Sequence, residues 1–352
     1  CIDSANGMLA RFGGDEFVYV ANNITDEIQC EEIAKTLTDC FKKSFELSTE
    51  SVHITSSIGI SIFPRDGDGI DDLLKHADAA MYQAKAEGRN RYHFFTKTLS
   101  QRLRQQRSIA ARLRESLKKD EFELLFQPQI DVKTGKFTSC EALLRWRPLD
   151  EESAVPPNIF IPIAERSELI ADIGRWVLEK TCQQSKKWKQ KGIGVRIDIN
   201  VSGKELEKSS FFERLTACRS HYGLSPEDIG LELTENVLIK SDNAILENLR
   251  AQRDLGVEIS IDDFGTGYSS LSYLKQFPVS HLKIDRSFLK GAPENAYDSA
   301  LMEAIVNVGH KLDLKIVVEG VETQSQSDYC KSLNVEFVQG FLYSRPISAE
   351  AI

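Results

Sequence analysis

Seven places in the later part of the chain set a polar or charged side chain at the end of an apolar run: Glu141, Asn200, Glu232, Asp262 with Asp263, Lys283, Glu319 and Gln339. Neighbouring members lie 20 to 59 residues apart, roughly one or two strand-plus-helix steps of a β/α barrel. In such a barrel they converge at the C-terminal rim, where barrel enzymes build their active sites. Five crowded carboxylates repel one another, so a cation must neutralise them or they take up protons. Every candidate ligand is an oxygen, with no His or Cys, which points to a hard ion such as Mg²⁺ or Mn²⁺ and away from zinc.

The adjacent Asp262 and Asp263 can bridge or flank two ions, an arrangement that holds the attacking and leaving oxygens of a phosphodiester. Lys283 then orients water or neutralises phosphate. The following FGTGYSS (264–270) is a Gly- and hydroxyl-rich loop able to close over a ligand. Any one acidic residue at a strand end serves equally as a helix cap or half of a surface ion pair, and Lys283 can pair with Asp285. Chance caps do not repeat around a whole barrel, so the set reads as a metal-dependent barrel enzyme. Phosphodiester cleavage and enolisation, by carboxylate-bound Mg²⁺ plus a lysine base, are the competing reactions.

The elements that must position these groups are eight short β-rich runs alternating with helical ones: ELLFQPQI, TSCEALLRW, VRIDINVS, IGLELTE, VEISIDDFG, HLKID, LKIVVEG and EFVQG. About 235 residues carry them, the size a barrel needs. Upstream, residues 97–119 hold eight Lys or Arg against Glu115 alone, with Leu99, Leu103, Ala110, Leu113 and Leu117 at helical spacing. We read this as a connecting helix with a solvated basic face. Before it lies a smaller α/β unit: a hairpin in MLARFGGDEFVYVAN, a polar helix, a β-rich run from Val52, and a helix from Asp71 to Gly88 with Leu73, Leu74, Ala77, Ala80, Met81 and Ala84 on one face.

The 352 residues are 41% hydrophobic and 28% charged, an ordinary globular composition for which two domains are the natural expectation. With 44 Lys and Arg against 53 Asp and Glu, the net charge of −9 argues against a nucleic-acid polymer as partner. No apolar run approaches the ~20 residues of a membrane span, and no secretory signal opens the chain. Seven cysteines without a CxxC pair suggest neither a zinc site nor a disulfide framework. A cytoplasmic location is expected.

EALLRW at 141, INVS at 199, LELTE at 231, IDDFGTGYSSL at 261, LKIDRSF at 282, VVEGVET at 317 and QGF at 339 together resemble the EAL phosphodiesterase domain, in the family's order, over about residues 109–350. The resemblance implies a modified TIM (β/α)8 barrel with an antiparallel first strand, hydrolysing cyclic di-GMP to linear pGpG. It assigns Glu141, Asn200, Glu232 and Asp262 to one ion and Asp262 and Asp263 to a second, with Glu319 as metal-site carboxylate or general base. Lys283 matches the water-orienting lysine, Glu235 the glutamate that steadies the DDFGTG loop, and Gln127, Leu143, Arg145, Glu322 and Gln339 substrate-contacting or site-lining positions. Glu168 stands where the family usually has glycine, and Val318 is a second departure; neither removes a ligand. Cys140, next to Glu141, should face the other side of its strand as a packing residue.

The first unit resembles the C-terminal part of a GGDEF diguanylate cyclase domain, through RFGGDEF at 11, SIGIS at 57 and ADAAMYQAKAEGRNRYHFF at 77. Gly13, Gly14, Asp15, Glu16, Lys85 and Arg89 match its nucleotide site, which implies GTP as a ligand. The family's first half, with another metal-binding Asp, is not expected here. Ser4 to Gly7 replace the RxxD inhibitory motif, so product inhibition is not expected. The division is therefore 1–96 for the partial GGDEF unit, 97–119 for the connecting helix and 109–352 for the EAL domain. Two Mg²⁺ or Mn²⁺ ions and a homodimer are expected from the resemblance. A silent cyclic di-GMP receptor, and a bifunctional parent protein, are the alternatives.

Overall fold

Arg11 closes the first turn of the chain, its guanidinium donating to the Gly14 carbonyl at 2.7 and 3.0 Å. In this computed structural model the described residues are 7–42, 44–46, 51–149, 153–208, 210–265 and 274–352, without the side chains of 46 and 100–105. The turn joins β1 (Gly7–Gly13) to its antiparallel partner β2 (Glu16–Ala21). Helix α1 (Glu27–Cys40) starts at Asp26, whose side chain accepts from the Gln29 N–H. The β-rich run from Val52 resolves into short pieces: β3 (Phe45–Glu46) pairs antiparallel with β4 (Ser51–Val52), and β5 (Ser57–Ile60) pairs parallel with β6 (Arg91–Phe94).

Helix α2 (Ile70–Ala86) lies directly on β5, since a Cβ at Gly59 would come within 1.9 Å of the Ala77 carbonyl oxygen. Only glycine fits there. Cys40 is disulfide-bonded. One bond closed by the fold leaves no spacing signature and does not amount to a disulfide framework.

By compactness the chain divides into residues 1–108 and 109–352. The segment expected as connector is helical over α3 (Lys97–Ser116), and the division falls within it. In the second unit, β7 (Phe122–Asp131), β8 (Phe137–Trp146), β9 (Arg196–Asn200), β10 (Ile229–Thr234), β11 (Ile259–Phe264), β12 (His281–Ile284), β13 (Lys315–Val318) and β14 (Phe337–Val338) form a closed barrel in chain order. β7 is antiparallel to both of its neighbours and the other pairs are parallel. This is the modified barrel with an inverted first strand.

Strand alternation decides what fills it. Ile197, Ile199, Leu231, Leu233, Ile259, Ile261, Leu282, Ile284, Ile316 and Val318 are buried in the apolar core shared with the helices. Each contributes about 1.5–3 kcal/mol by leaving water. The residues between them are Asp198, Glu232, Ser260 and Lys283, with Val317 the one apolar member, and all five are buried. Where barrels usually stack Val, Ile and Leu inside, this one stacks polar groups, and buried polar groups must find partners. The outer face closes with helices such as α4 (Pro157–Arg166) and α5 (Ile170–Gln190). In α5, Ile170, Ile173, Val177, Leu178, Thr181, Cys182, Ser185 and Trp188 recur every three or four residues and are buried. Trp188 Nε1 donates to the Ala349 carbonyl at 3.2 Å and fastens the C-terminal segment. Among the described residues no helix is long and apolar enough to cross a membrane.

Candidate active site

Lys283 is the hub of the barrel mouth. The strand period points it inward from β12, and it is 1% exposed. Its Nζ lies 2.7 Å from Glu232 Oε2, 2.8 Å from Glu319 Oε1, 2.9 Å from Asp262 Oδ1 and 3.4 Å from Glu141 Oε2. Asp285 does not compete for it, since it caps the next turn by accepting from the Ser287 N–H at 2.9 Å. Removal from water disfavours the ammonium, but the four carboxylates outweigh that and hold its pKa well above the ordinary lysine value.

The carboxylates respond unequally. Burial raises Glu141, but Lys283 and hydrogen bonds from Gln339 and Asn200 win and hold it below its ordinary value. Asn200 Nδ2 donates to Glu141 Oε1 at 2.7 Å, and Gln339 Nε2 donates to Oε2 at 2.9 Å. Burial, with Glu141, Asp262 and Asp198 nearby, pushes Glu232 well above the carboxylate range despite Lys283. Glu319, its side chain 20% exposed at the rim, is raised to about 7, chiefly by burial.

Adjacent residues on a regular strand face opposite ways, yet oxygens of both Asp262 and Asp263 lie with one of Glu319 inside a 4.8 Å cluster. A bulge accounts for this. Between the pairs Ile261↔Leu282 and Phe264↔Ile284, β11 advances three residues while β12 advances two. Asp263 takes up the difference at φ +53°, in the left-handed region that Asp tolerates better than most residues. The residue is open to solvent on one side, while partial desolvation of its carboxyl, together with Asp262 and Asp285, raises its pKa.

An ammonium has three hydrogens, and four carboxylates surround this one. Asp262 Oδ1, though 2.9 Å from Nζ, is buried without a properly directed hydrogen bond. An all-oxygen cluster with an orphaned buried oxygen and excess negative charge fits a hard divalent ion.

On β7 and β8, Gln127 stands opposite Glu141, while Leu143 and Arg145 continue Glu141's face toward the strand end. Gln127 Oε1 accepts from Gln339 Nε2 at 3.1 Å, and Arg145 is half-buried, its Nη1 donating to the Leu144 carbonyl at 2.9 Å. Glu235 is buried at the start of the helix after β10. Residues 266–273 of the loop it is expected to steady lie outside the described residues. Glu322 is exposed, and its backbone N–H donates to Gln326 Oε1. Cys140 is fully buried and its thiol is pushed well up by burial, as a packing residue's would be.

Two residues the sequence reading passed over belong to the same network: Gln129, 1% exposed, and Ser139, 2% exposed. In the first unit, Gly13 to Glu16 are exposed at the β1–β2 turn, and Lys85 and Arg89 are exposed at the end of α2, with Arg89 at φ +59°. Among the described residues no hydrogen bond or ion pair joins the two groups.

Comparison with known proteins agrees with this fold. The EAL domain family matches residues 110–346, and the "Diguanylate cyclase, GGDEF domain" family matches residues 1–91. The bifunctional diguanylate cyclase/cyclic di-GMP phosphodiesterase MucR of Pseudomonas aeruginosa is 37% identical over 349 residues, covering 99% of this chain and 51% of MucR. The cyclic di-GMP phosphodiesterase PdeR of Escherichia coli is 35% identical, covering 98% of this chain and 52% of PdeR. This chain thus spans about half the length of these curated relatives. The solved PaMucR phosphodiesterase in complex with c-di-GMP superimposes with a TM-score of 0.66 at 38% identity, over 69% of this chain and 99% of that one. A barrel with an inverted first strand, an acidic mouth built on EALLRW and IDDFG, and a match over two thirds of the sequence place this chain in the EAL domain family, preceded by a segment that matches the GGDEF domain.

Proposed function

We propose that this chain is a phosphodiesterase that hydrolyses cyclic di-GMP to linear pGpG. The observation that carries the reading is the cluster of Glu141, Glu232, Asp262 and Glu319 around one buried ammonium, with Asp262 Oδ1 lacking a directed hydrogen bond and Asp263 added by the bulge. Glu141, Asn200, Glu232 and Asp262 would hold one Mg²⁺ or Mn²⁺, and Asp262 and Asp263, with Glu319 beside them, a second. Such ions supply charge neutralisation at the phosphate and a more acidic water.

The chain's own residues do the rest. Lys283, held protonated, donates toward the attacking water and stabilises negative charge growing on the phosphoryl oxygens. Glu319, raised to about 7, is placed to accept the water proton near neutrality. The water oxygen bonds to phosphorus while the bond from phosphorus to the 3′ oxygen breaks, leaving a 5′-phosphate and a free 3′-hydroxyl. Gln127, Leu143, Arg145, Glu322 and Gln339 line the substrate's seat, with the Arg145 guanidinium suited to phosphate or guanine oxygens. Glu235 steadies the DDFGTG loop. In the GGDEF segment, the exposed Gly13–Glu16 turn with Lys85 and Arg89 would take GTP and tune the barrel, and the EAL unit would act as a homodimer.

The test is incubation of this chain with cyclic di-GMP and Mg²⁺ or Mn²⁺, with and without GTP, with products separated by chromatography. Release of pGpG that EDTA abolishes supports the reading; cyclic di-GMP retained intact with metal present replaces it with a receptor.

A further inference from the structure

Beneath the mouth, the three glutamines and one serine form a chain of hydrogen bonds with a single direction. Ser139 Oγ donates to Gln129 Oε1 at 2.7 Å. Gln129 Nε2 donates to Gln339 Oε1 at 3.2 Å and lies 3.5 Å from Glu232 Oε1, a long, weak contact. Gln339 Nε2 donates to Glu141 Oε2 at 2.9 Å and to Gln127 Oε1 at 3.1 Å. Gln127 Nε2 ends the chain on the Ser344 carbonyl at 3.3 Å.

The direction is dictated from the carboxylate end. An ionised carboxylate only accepts, so Gln339 must turn its NH₂ to Glu141, and its carbonyl then faces Gln129. Gln129 must answer with its own NH₂, which leaves its carbonyl toward Ser139, and only there does a hydroxyl able to donate stand. Turned over, Gln129 would set its carbonyl against the Gln339 carbonyl, a repulsion in a buried site where polar contacts count most. Strand register supplies the placement: in this antiparallel pair Gln129 stands opposite Ser139 as Gln127 stands opposite Glu141, two residues later on β7 and two earlier on β8.

We infer that Gln129, oriented by Ser139, is a positioning residue that locks the Gln339 amide with its donor side toward Glu141 and ties the substrate-lining glutamines to the ion-holding glutamates. This rests on the reading of the site proposed above. Without Gln129 the Gln339 carbonyl loses its partner and the amide is free to rotate, which reduces its grip on Glu141 and Gln127.

The test uses Gln129→Met, close in shape without the amide, and Ser139→Ala, which removes one oxygen. Three quantities are compared with the parent: KM and kcat for cyclic di-GMP, Mn²⁺ affinity by calorimetry without substrate, and melting temperature. Loss of a buried hydrogen-bond partner predicts that Gln129→Met raises KM by about 5- to 10-fold and weakens Mn²⁺ binding in the same direction. At saturation kcat stays within about twofold. Ser139→Ala does the same more weakly and adds nothing in the double variant, because the chain is already cut.

Parent values of KM and Mn²⁺ affinity in Gln129→Met, with only a lower melting temperature, would mean plain packing and overturn the inference. Should Gln129→Met fail to fold, Ser139→Ala decides by the same readouts. Should the parent leave cyclic di-GMP uncut, the functional reading falls, while the Mn²⁺ isotherms still decide the role of Gln129.

Discussion

Lys283 Nζ and Glu232 Oε2 meet at 2.7 Å with both side chains essentially sealed from solvent. A buried charge pair is stable only as a complete set: removing one partner leaves the other uncompensated and costs about 3–5 kcal/mol. Here one cation serves four carboxylates. Lys283→Met should therefore lower unfolding free energy by up to about that amount in EDTA, less whatever Glu232 and Glu319 recover by taking up protons. Mn²⁺ added to the variant should recover part of the loss, since the remaining oxygens still bind a cation. Urea unfolding with EDTA and with Mn²⁺ measures both; a variant as stable as the parent in EDTA would mean the carboxylates do not depend on Lys283.

Asp263 gives a sharper test of the acidic cluster because its backbone and its charge can be separated. Asn tolerates the left-handed conformation at φ +53°, whereas Ala there costs about 1–2 kcal/mol. Asp263→Asn should hold the parent melting temperature in EDTA, drop from two bound Mn²⁺ to one, and slow hydrolysis at least about 100-fold. Asp263→Ala should share those losses and also melt lower. Two Mn²⁺ still bound by Asp263→Asn would remove Asp263 from the ligand set.

The rim of the barrel was legible in the sequence because charge at the end of an apolar run has few structural uses, and repetition around the chain exposes them. The interior was not. Asp198 and Ser260 each stand between two isoleucines, a pattern that reads as a strand with one solvated face, while Gln129, Ser139 and His281 have mixed neighbours that give no pattern at all. Barrel closure turns the apparent solvent face inward, a fact of tertiary topology that no local window contains. The bulge hid in the same way, since nothing in the letters IDDFG says which Asp leaves the pleat. Glu168 is the opposite case. Its departure from the family's usual glycine was visible, but the reason, a φ of +62°, needed the backbone.

His281 predicts how the protein responds to acid. It is fully buried on β12, its Nε2 has no partner, and its Nδ1 lies 3.1 Å from Ser280 Oγ and 3.5 Å from Glu258 Oε2. Burial, aided by Arg196 and Lys315 and opposed by Glu258, lowers its pKa to about 3. The unfolded chain takes up this proton below about 6.5 and the folded one does not. Stability is full above that pH and falls as pH drops toward 3, by about 1.4 kcal/mol per unit from this group. His281→Asn should remove that share of the slope. Urea unfolding of parent and variant at several values between pH 6.5 and 4.5 measures the difference, and equal slopes would show that His281 is protonated in the fold.

Glu168 ends the turn after α4 at φ +62°, with its side chain exposed and no described hydrogen bond or ion pair from its carboxylate. An L-residue in the left-handed region is destabilised by about 1–2 kcal/mol, while glycine is not. Glycine gives back about 0.4–1 kcal/mol through the freer unfolded chain, so the net gain is smaller. Glu168→Gly should thus raise the melting temperature by about 1–4 °C and leave kinetics unchanged, because the residue touches nothing in the barrel mouth. Scanning calorimetry of the two proteins checks it. A lower melting temperature in Glu168→Gly would mean that the carboxylate contributes more to the folded state than the backbone conformation costs.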